Sequence, residues 1–135
     1  SLRSDTRAVV NAGPLTRDHG RAATQEMLAA PGSPVTAVIA AGNQLLPGVL
    51  EAVRSLGLRV PDDLSLVTLD DTQLLDFVEP PIGVIACNLL RLGEEAARLL
   101  LDLIGGSEPE EVIFPAVFHP RGSCSPPPPS APLPG

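Results

Sequence analysis

The sequence contains no lysine, no tryptophan and no tyrosine, and only three phenylalanines. Without lysine there is no Schiff-base amine, no P-loop lysine and no lysine to stand beside a phosphorylated aspartate, so several enzyme classes fall at once. So few aromatics exclude base stacking as a main binding mode and weaken sugar stacking. Positive charge is scarce as well. Nine arginines face 16 acidic residues for a net charge of -7, and a duplex DNA surface would repel such a chain. No stretch approaches the roughly 20 apolar residues of a membrane span. No basic segment followed by an apolar run marks an export signal, and the opening "SLRSDTRAVVNAG" reads as the middle of something longer. Cys87 and Cys124 are the only cysteines, without metal-ligand spacing, and are read as two reduced thiols of a cytoplasmic protein.

What the chain does contain is one modest core: 135 residues at 44% hydrophobic content suit a single domain. Residues 8–11 form a short strand candidate, and "LTRDHGRAATQEMLAAPG" is a helix with Thr16 as N-cap and Pro31-Gly32 as its stop. "VTAVIAA", residues 35–41, is too short for an ordinary helix and rich enough in β-branched residues for a buried strand. "GNQLLPGVLEAVRSLG" places Leu45, Leu46, Val49, Leu50, Val53 and Leu56 at helical spacing, with Gly57 as terminator and Pro47 delaying the start. A proline turn then leads to a strand over residues 64–69. These alternating units predict an α/β fold with a doubly wound parallel sheet and flanking helices. "IGVIACN" is a further strand. "LLRLGEEAARLLLDLIGG" is the strongest helix, with Leu89, Leu92, Ala96, Leu99, Leu100 and Leu103 on one face and Glu94 and Arg98 spaced to pair. "EEVIFPAVFHPRG" is a last strand that Pro115 pushes to an edge. Six prolines among residues 125–135 mark an extended or disordered tail, which divides the chain into a partial domain at 1–124 and a Pro-rich tail at 125–135.

The most telling point is "SLVTLDD", where a buried strand runs into Asp70 and Asp71. Two charges at the edge of a core need water, hydrogen bonds or a ligand to compensate them. Catalysis by this pair is disfavoured, since neighbours on a strand point to opposite faces whereas paired catalytic carboxylates converge on one substrate. Asp71 is read as a cap for the following turn. His19 and His119 are read as solvated, with no nucleophile arranged near either, and "EPEE" as a solvated acidic loop.

Taken together, "LGLRVPDDLSLVTLDD", "PPIGVI", "LLRLGEEAARLLLDLI" and "VIFPAVFHPRGSC", in this order and spacing, resemble the effector-binding core of the lactose-repressor/galactose-repressor (LacI/GalR) family of bacterial transcription regulators. The likeness is close over residues 36–124 and looser before. It implies a periplasmic-binding-protein-like fold of type I, here partial: a C-terminal subdomain up to about residue 85, plus a helix at 89–104 that would pack on an N-terminal subdomain lying outside this chain. It implies a small sugar-like or nucleoside-like effector bound by Asp70, with Asn43, Cys87 and Asn88 as secondary contacts. Gly42-Asn43 and Cys87 depart from the family's usual Asn-Asp and polar residue there, which weakens two contacts. The resemblance further implies a homodimer through Leu46, Val49, Leu50, Val53, Leu74, Leu75 and Phe77, and DNA binding only through a separate N-terminal domain. It points to no enzyme, cofactor, metal or membrane. The alternatives are a sugar-binding transport component of the same fold, or a degenerate fragment that binds nothing.

Overall fold

The computed structural model describes residues 13–29, 35–69, 71–108 and 110–126. The strand expected at residues 8–11, the Pro31-Gly32 stop, Asp70 and most of the Pro-rich tail lie outside the described residues.

Helix α1, Arg17–Ala29, begins where its cap predicts: the Thr16 hydroxyl accepts from the His19 amide at 3.3 Å. Strand β1 is Ala37–Ala40 and helix α2 is Leu46–Ser55, with Pro47 inside its first turn, where a missing N–H costs nothing. At the far end of α2, Gly57 takes φ +69° while its amide and that of Leu58 bond back to the carbonyls of Arg54 and Val53. That paired closure is the usual way a glycine stops a helix. The turn into β2 is held by Arg59, whose amide and guanidinium both reach Asp63 at 2.8–2.9 Å and hold its carboxyl down to about 2. Strand β2 is Ser65–Leu69, followed by a short 3₁₀ helix, Gln73–Phe77, and strand β3, Gly83–Ala86. Helix α3, Leu89–Ile104, leads to strand β4, Val117–His119.

The sheet order is β1-β2-β3-β4. β1 and β2 run parallel with Val38 opposite Leu66, and β2 and β3 run parallel with Thr68 opposite Val84. β4 departs from the expected all-parallel sheet. It pairs antiparallel with β3, His119 opposite Val84, and sits at the edge as Pro115 requires. The core lies between one face of the sheet and α2: Leu46, Val49 and Val53 from the helix meet Val38, Ala40, Leu66 and Val84 from the strands, with Leu64, Leu75 and Ile82 closing the ends. Each buried Val, Leu or Ile among them contributes about 1.5–3 kcal/mol relative to exposure.

Two glycines set how closely α1 lies on α2. A Cβ on Gly20 would stand 2.5 Å from the Leu45 carbonyl oxygen, and one on Gly48 would overlap the Arg17 carbonyl and stand 2.7 Å from the Arg21 amide nitrogen. Backbone meets backbone there, so neither position has room for a side chain.

Helix α3 has no buried residue at all. Of the face expected to be apolar, Leu89, Leu92, Ala96, Leu100 and Leu103 are exposed and Leu99 is half-buried. Its charge pairing differs from expectation. Arg98 pairs not with Glu94 but with Glu95 and with Asp102 at 2.6 Å, and Glu110 approaches at 3.5 Å. Carboxylates one turn on either side occupy both arms of the guanidinium fork, which leaves nothing for Glu94.

The closing segment crosses from β4 to the start of β2. Ser123 is fully buried, accepts from the Gly83 amide at 2.8 Å and donates to the Leu66 carbonyl, while Ser125 exchanges hydrogen bonds with Ser65. This sews β2 to β3 from the side.

Candidate effector cleft

Parallel strands put their carboxyl ends along one edge, and in open α/β sheets that edge is where ligands bind. Here three exits fall side by side: Ala41-Gly42-Asn43 after β1, the segment with Asp71 after β2, and Cys87-Asn88 after β3. Asp70, the proposed main anchor, lies outside the described residues; β2 ends one residue before it.

Asn43 is exposed in the turn ahead of α2. The N-cap of that helix is Leu45, without a side-chain cap bond, so Asn43 is not spent on capping. Cys87 is half-buried with a free thiol. Asn88 has a second duty: its side-chain oxygen accepts from the Arg91 amide at 3.0 Å and caps α3, a bond that does not use its amide NH2.

Sequence reasoning missed Leu15. Its two methyl carbons lie 3.7 and 3.8 Å from where a Cβ on Gly42 would stand, and the side chain is 58% exposed. The segment leading into α1 thus brings an apolar wall over the β1 exit, in the space that Gly42 leaves open. The sequence held a signal for it. An apolar residue just before a helix N-cap normally packs against the fourth helical residue, but that residue is Gly20, so Leu15 has no such partner.

Asp71 corrects one expectation. Its carboxylate pairs with the Arg121 guanidinium at 2.6 Å, and the 3₁₀ helix behind it has Thr72 at its N-cap position with no side-chain cap bond. A charged donor arriving from 50 residues away outcompetes a backbone amide, and that partner is invisible to local reading. His19 is corrected as well. It is half-buried, its ring packs against Gly13, and its Nε2 is buried without a partner. His119 on β4 is exposed, and so are Glu108, Glu110 and Glu111.

The seven candidate dimer residues divide sharply. Leu46, Val49, Val53 and Leu75 are each less than 5% exposed because they fill the chain's own core. Their side chains are thereby removed from any contact surface, since helical periodicity marks an inward face and an interface face alike. Leu50 is half-buried, while Leu74 and Phe77 are exposed, Phe77 at 85%. Phe77 borders a groove of about 600 Å³ between α2 and the segment leading to β3, shared with Leu50, Arg54, Leu58 and Pro80.

Among the described residues, no group of three His, Cys, Asp or Glu side chains could hold a metal ion, and no helix is long and apolar enough to cross a membrane.

Comparison with known proteins bears on the fold and the family. A family model for the periplasmic binding protein-like domain matches residues 3–124. The HTH-type transcriptional regulator MalR of Streptomyces coelicolor is 35% identical over 112 residues, covering 82% of this chain and 32% of MalR. The structure of the transcriptional regulator CelR in complex with cellobiose superposes with a TM-score of 0.73 at 36% identity, over 82% of this chain and 34% of that one. A LacI family regulator from Enterococcus faecium with bound ribose gives 0.69 at 30% identity, over 82% and 41%. The chain belongs to the periplasmic binding protein-like domain family. Its relatives are LacI-family transcriptional regulators, matched through their effector-binding region, and it spans about a third of MalR's length.

Proposed function

We propose that this chain is the effector-sensing and dimerising part of a cytoplasmic LacI-family transcription regulator, and that its effector is a small polyhydroxylated molecule of the sugar type. The observation that carries the reading is the parallel order β1-β2-β3, which puts the segments after these strands, with Asn43, Asp71 and Cys87-Asn88, along one edge of the sheet, with Leu15 beside the first of them at Gly42. Related regulators hold cellobiose or ribose, which favours a sugar over a nucleoside, and regulation over transport. In this reading Asp70 accepts hydrogen bonds from ligand hydroxyls, Asn43 and the Asn88 amide add neutral ones, and Leu15 covers an apolar ring face. The exposed face of α3 docks on the remainder of the effector core, and DNA is bound by a further domain, both outside this chain. Seven large apolar side chains on one helix, each at least 41% exposed, are a surface that water does not tolerate well.

The test is a calorimetric titration of the full-length protein with cellobiose, ribose and a nucleoside. Saturable binding of a sugar is expected; heats indistinguishable from dilution for all three would remove the effector reading.

Pairing of two copies is proposed through Phe77, Leu74 and Leu50, the candidates whose side chains remain accessible. An aromatic residue so exposed beside an apolar groove suits a contact that repeats about a two-fold axis. Sedimentation should show a dimer for the parent and a monomer for Phe77→Asp. A monomeric parent ends this part of the proposal.

A further inference from the structure

We infer that the groove between α2 and the segment leading to β3 is filled by Phe77 of a second copy of this chain, and that Arg54 and Glu79, on its two walls, decide which partner is accepted. The inference rests on the reading of this chain as a dimerising unit and adds how one copy recognises another.

The groove has an apolar lining and a charged rim. Val53 and Ile82 are buried in its wall, and Leu58 and Val78 are half-buried beside them. At about 600 Å³ it has room for an aromatic side chain, and an apolar knob stands at its border: Phe77 leaves 85% of its surface in water. The charged lining residues are Glu51, Arg54, Arg59 and Glu79. Two of them are spent within the chain, Glu51 on Arg17 and Arg59 on Asp62 and Asp63. Arg54 and Glu79 are exposed, and among the described residues neither forms an ion pair, with the other or with any third group. One unspent charge of each sign therefore stands on the rim, the cation on the α2 wall and the anion on the wall that carries Phe77.

That arrangement is self-complementary about a two-fold axis. When Phe77 of one copy enters the groove of the other, the wall bearing Phe77 and Glu79 faces the second copy's α2, and the same contact is made in reverse. Glu79 of each copy then meets Arg54 of the other, so two reciprocal ion pairs flank the buried rings. A net charge of -7 on each copy opposes association in general, and these pairs offset that repulsion where the surfaces touch. Pairs on an exposed rim add little affinity of their own. Their effect lies in choice: a partner that sets an acid against Glu79 or a base against Arg54 is refused.

The experiment is sedimentation equilibrium on the full-length protein: the parent, Phe77→Asp, Arg54→Glu, Glu79→Arg, and an equimolar mixture of the last two. Arg54 and Glu79 are exposed, so neither exchange reaches the core. Each charge exchange alone sets like charges against each other in both contacts and should raise the dimer dissociation constant about tenfold or more. In the mixture every contact between the two variants again joins opposite charges, so a mixed dimer of parent-like affinity should form. A charge variant that keeps the parent's dissociation constant would overturn the inference, because the copies then pair through another surface. A mixture as weak as its components would overturn it too, since the loss then comes from damage to the fold rather than from charge. If Phe77→Asp splits the parent dimer while the charge exchanges do not, the dimer reading stands and the role of Arg54 and Glu79 is refuted. A monomeric parent removes both.

Discussion

Gly48→Ala should destabilise the protein by about 3 kcal/mol, the upper end of overpacking effects, because the added methyl meets main chain rather than a flexible side chain. The clash falls on the Arg17 carbonyl and the Arg21 amide, so α1 must retreat as a body, and with it the contact at Gly20 and Leu45. Gly93→Ala provides the contrast. Nothing lies within 4 Å of the methyl it would add, it sits inside α3, and the exchange should stabilise by about 0.5–1 kcal/mol through helix propensity alone. Urea unfolding of the two variants beside the parent measures both. A loss at Gly48 below about 1 kcal/mol would show that α1 rests more loosely on α2 than the backbone distances indicate.

The second large effect concerns binding. Asp70→Ala should weaken the sugar effector by about 1.5–3 kcal/mol, roughly tenfold or more, because a charge-assisted hydrogen bond is lost in a cleft with few other charged contacts. Folding should be nearly unaffected. Asp71→Ala should behave differently. Its partner is Arg121, and the exposure of the pair limits the stability loss to about 1 kcal/mol or less. Affinity should stay nearly intact. Calorimetry on both variants distinguishes the roles: parent-like binding by Asp70→Ala, or abolished binding by Asp71→Ala alone, would reverse the assignment.

Local rules made most of the architecture legible. The β-branched run at residues 35–41, the helix that Gly57 stops and the helix that Gly105-Gly106 ends all stand where periodicity and punctuation place them, because each depends on neighbours within one or two turns. The cleft was legible only in outline. Strand exits follow from the βαβ pattern, but Leu15 over Gly42 and Arg121 on Asp71 join segments 27 and 50 residues apart, and no periodicity carries such contacts. The failure at Leu46, Val49, Val53 and Leu75 has another cause. A stripe of apolar residues says that a face is covered without saying by what, and in these four the cover is the chain itself. Glu94 illustrates the smallest scale of the same problem: correct spacing allows a pair, and competition from Glu95 and Asp102 decides it.

Asn88 belongs to two structures at once. Its oxygen holds the first turn of α3, and its amide stands at the exit of β3 beside Cys87. A molecule that grips that amide therefore bears on the tilt of a 16-residue helix, a lever about 24 Å long at 1.5 Å per residue. By linkage, under the proposed function, the converse holds with equal force: whatever fixes the free face of that helix also selects the orientation in which Asn88 would meet a ligand. If Asn88 contacts the effector as proposed, this one short side chain couples occupancy of the cleft to the bearing of α3.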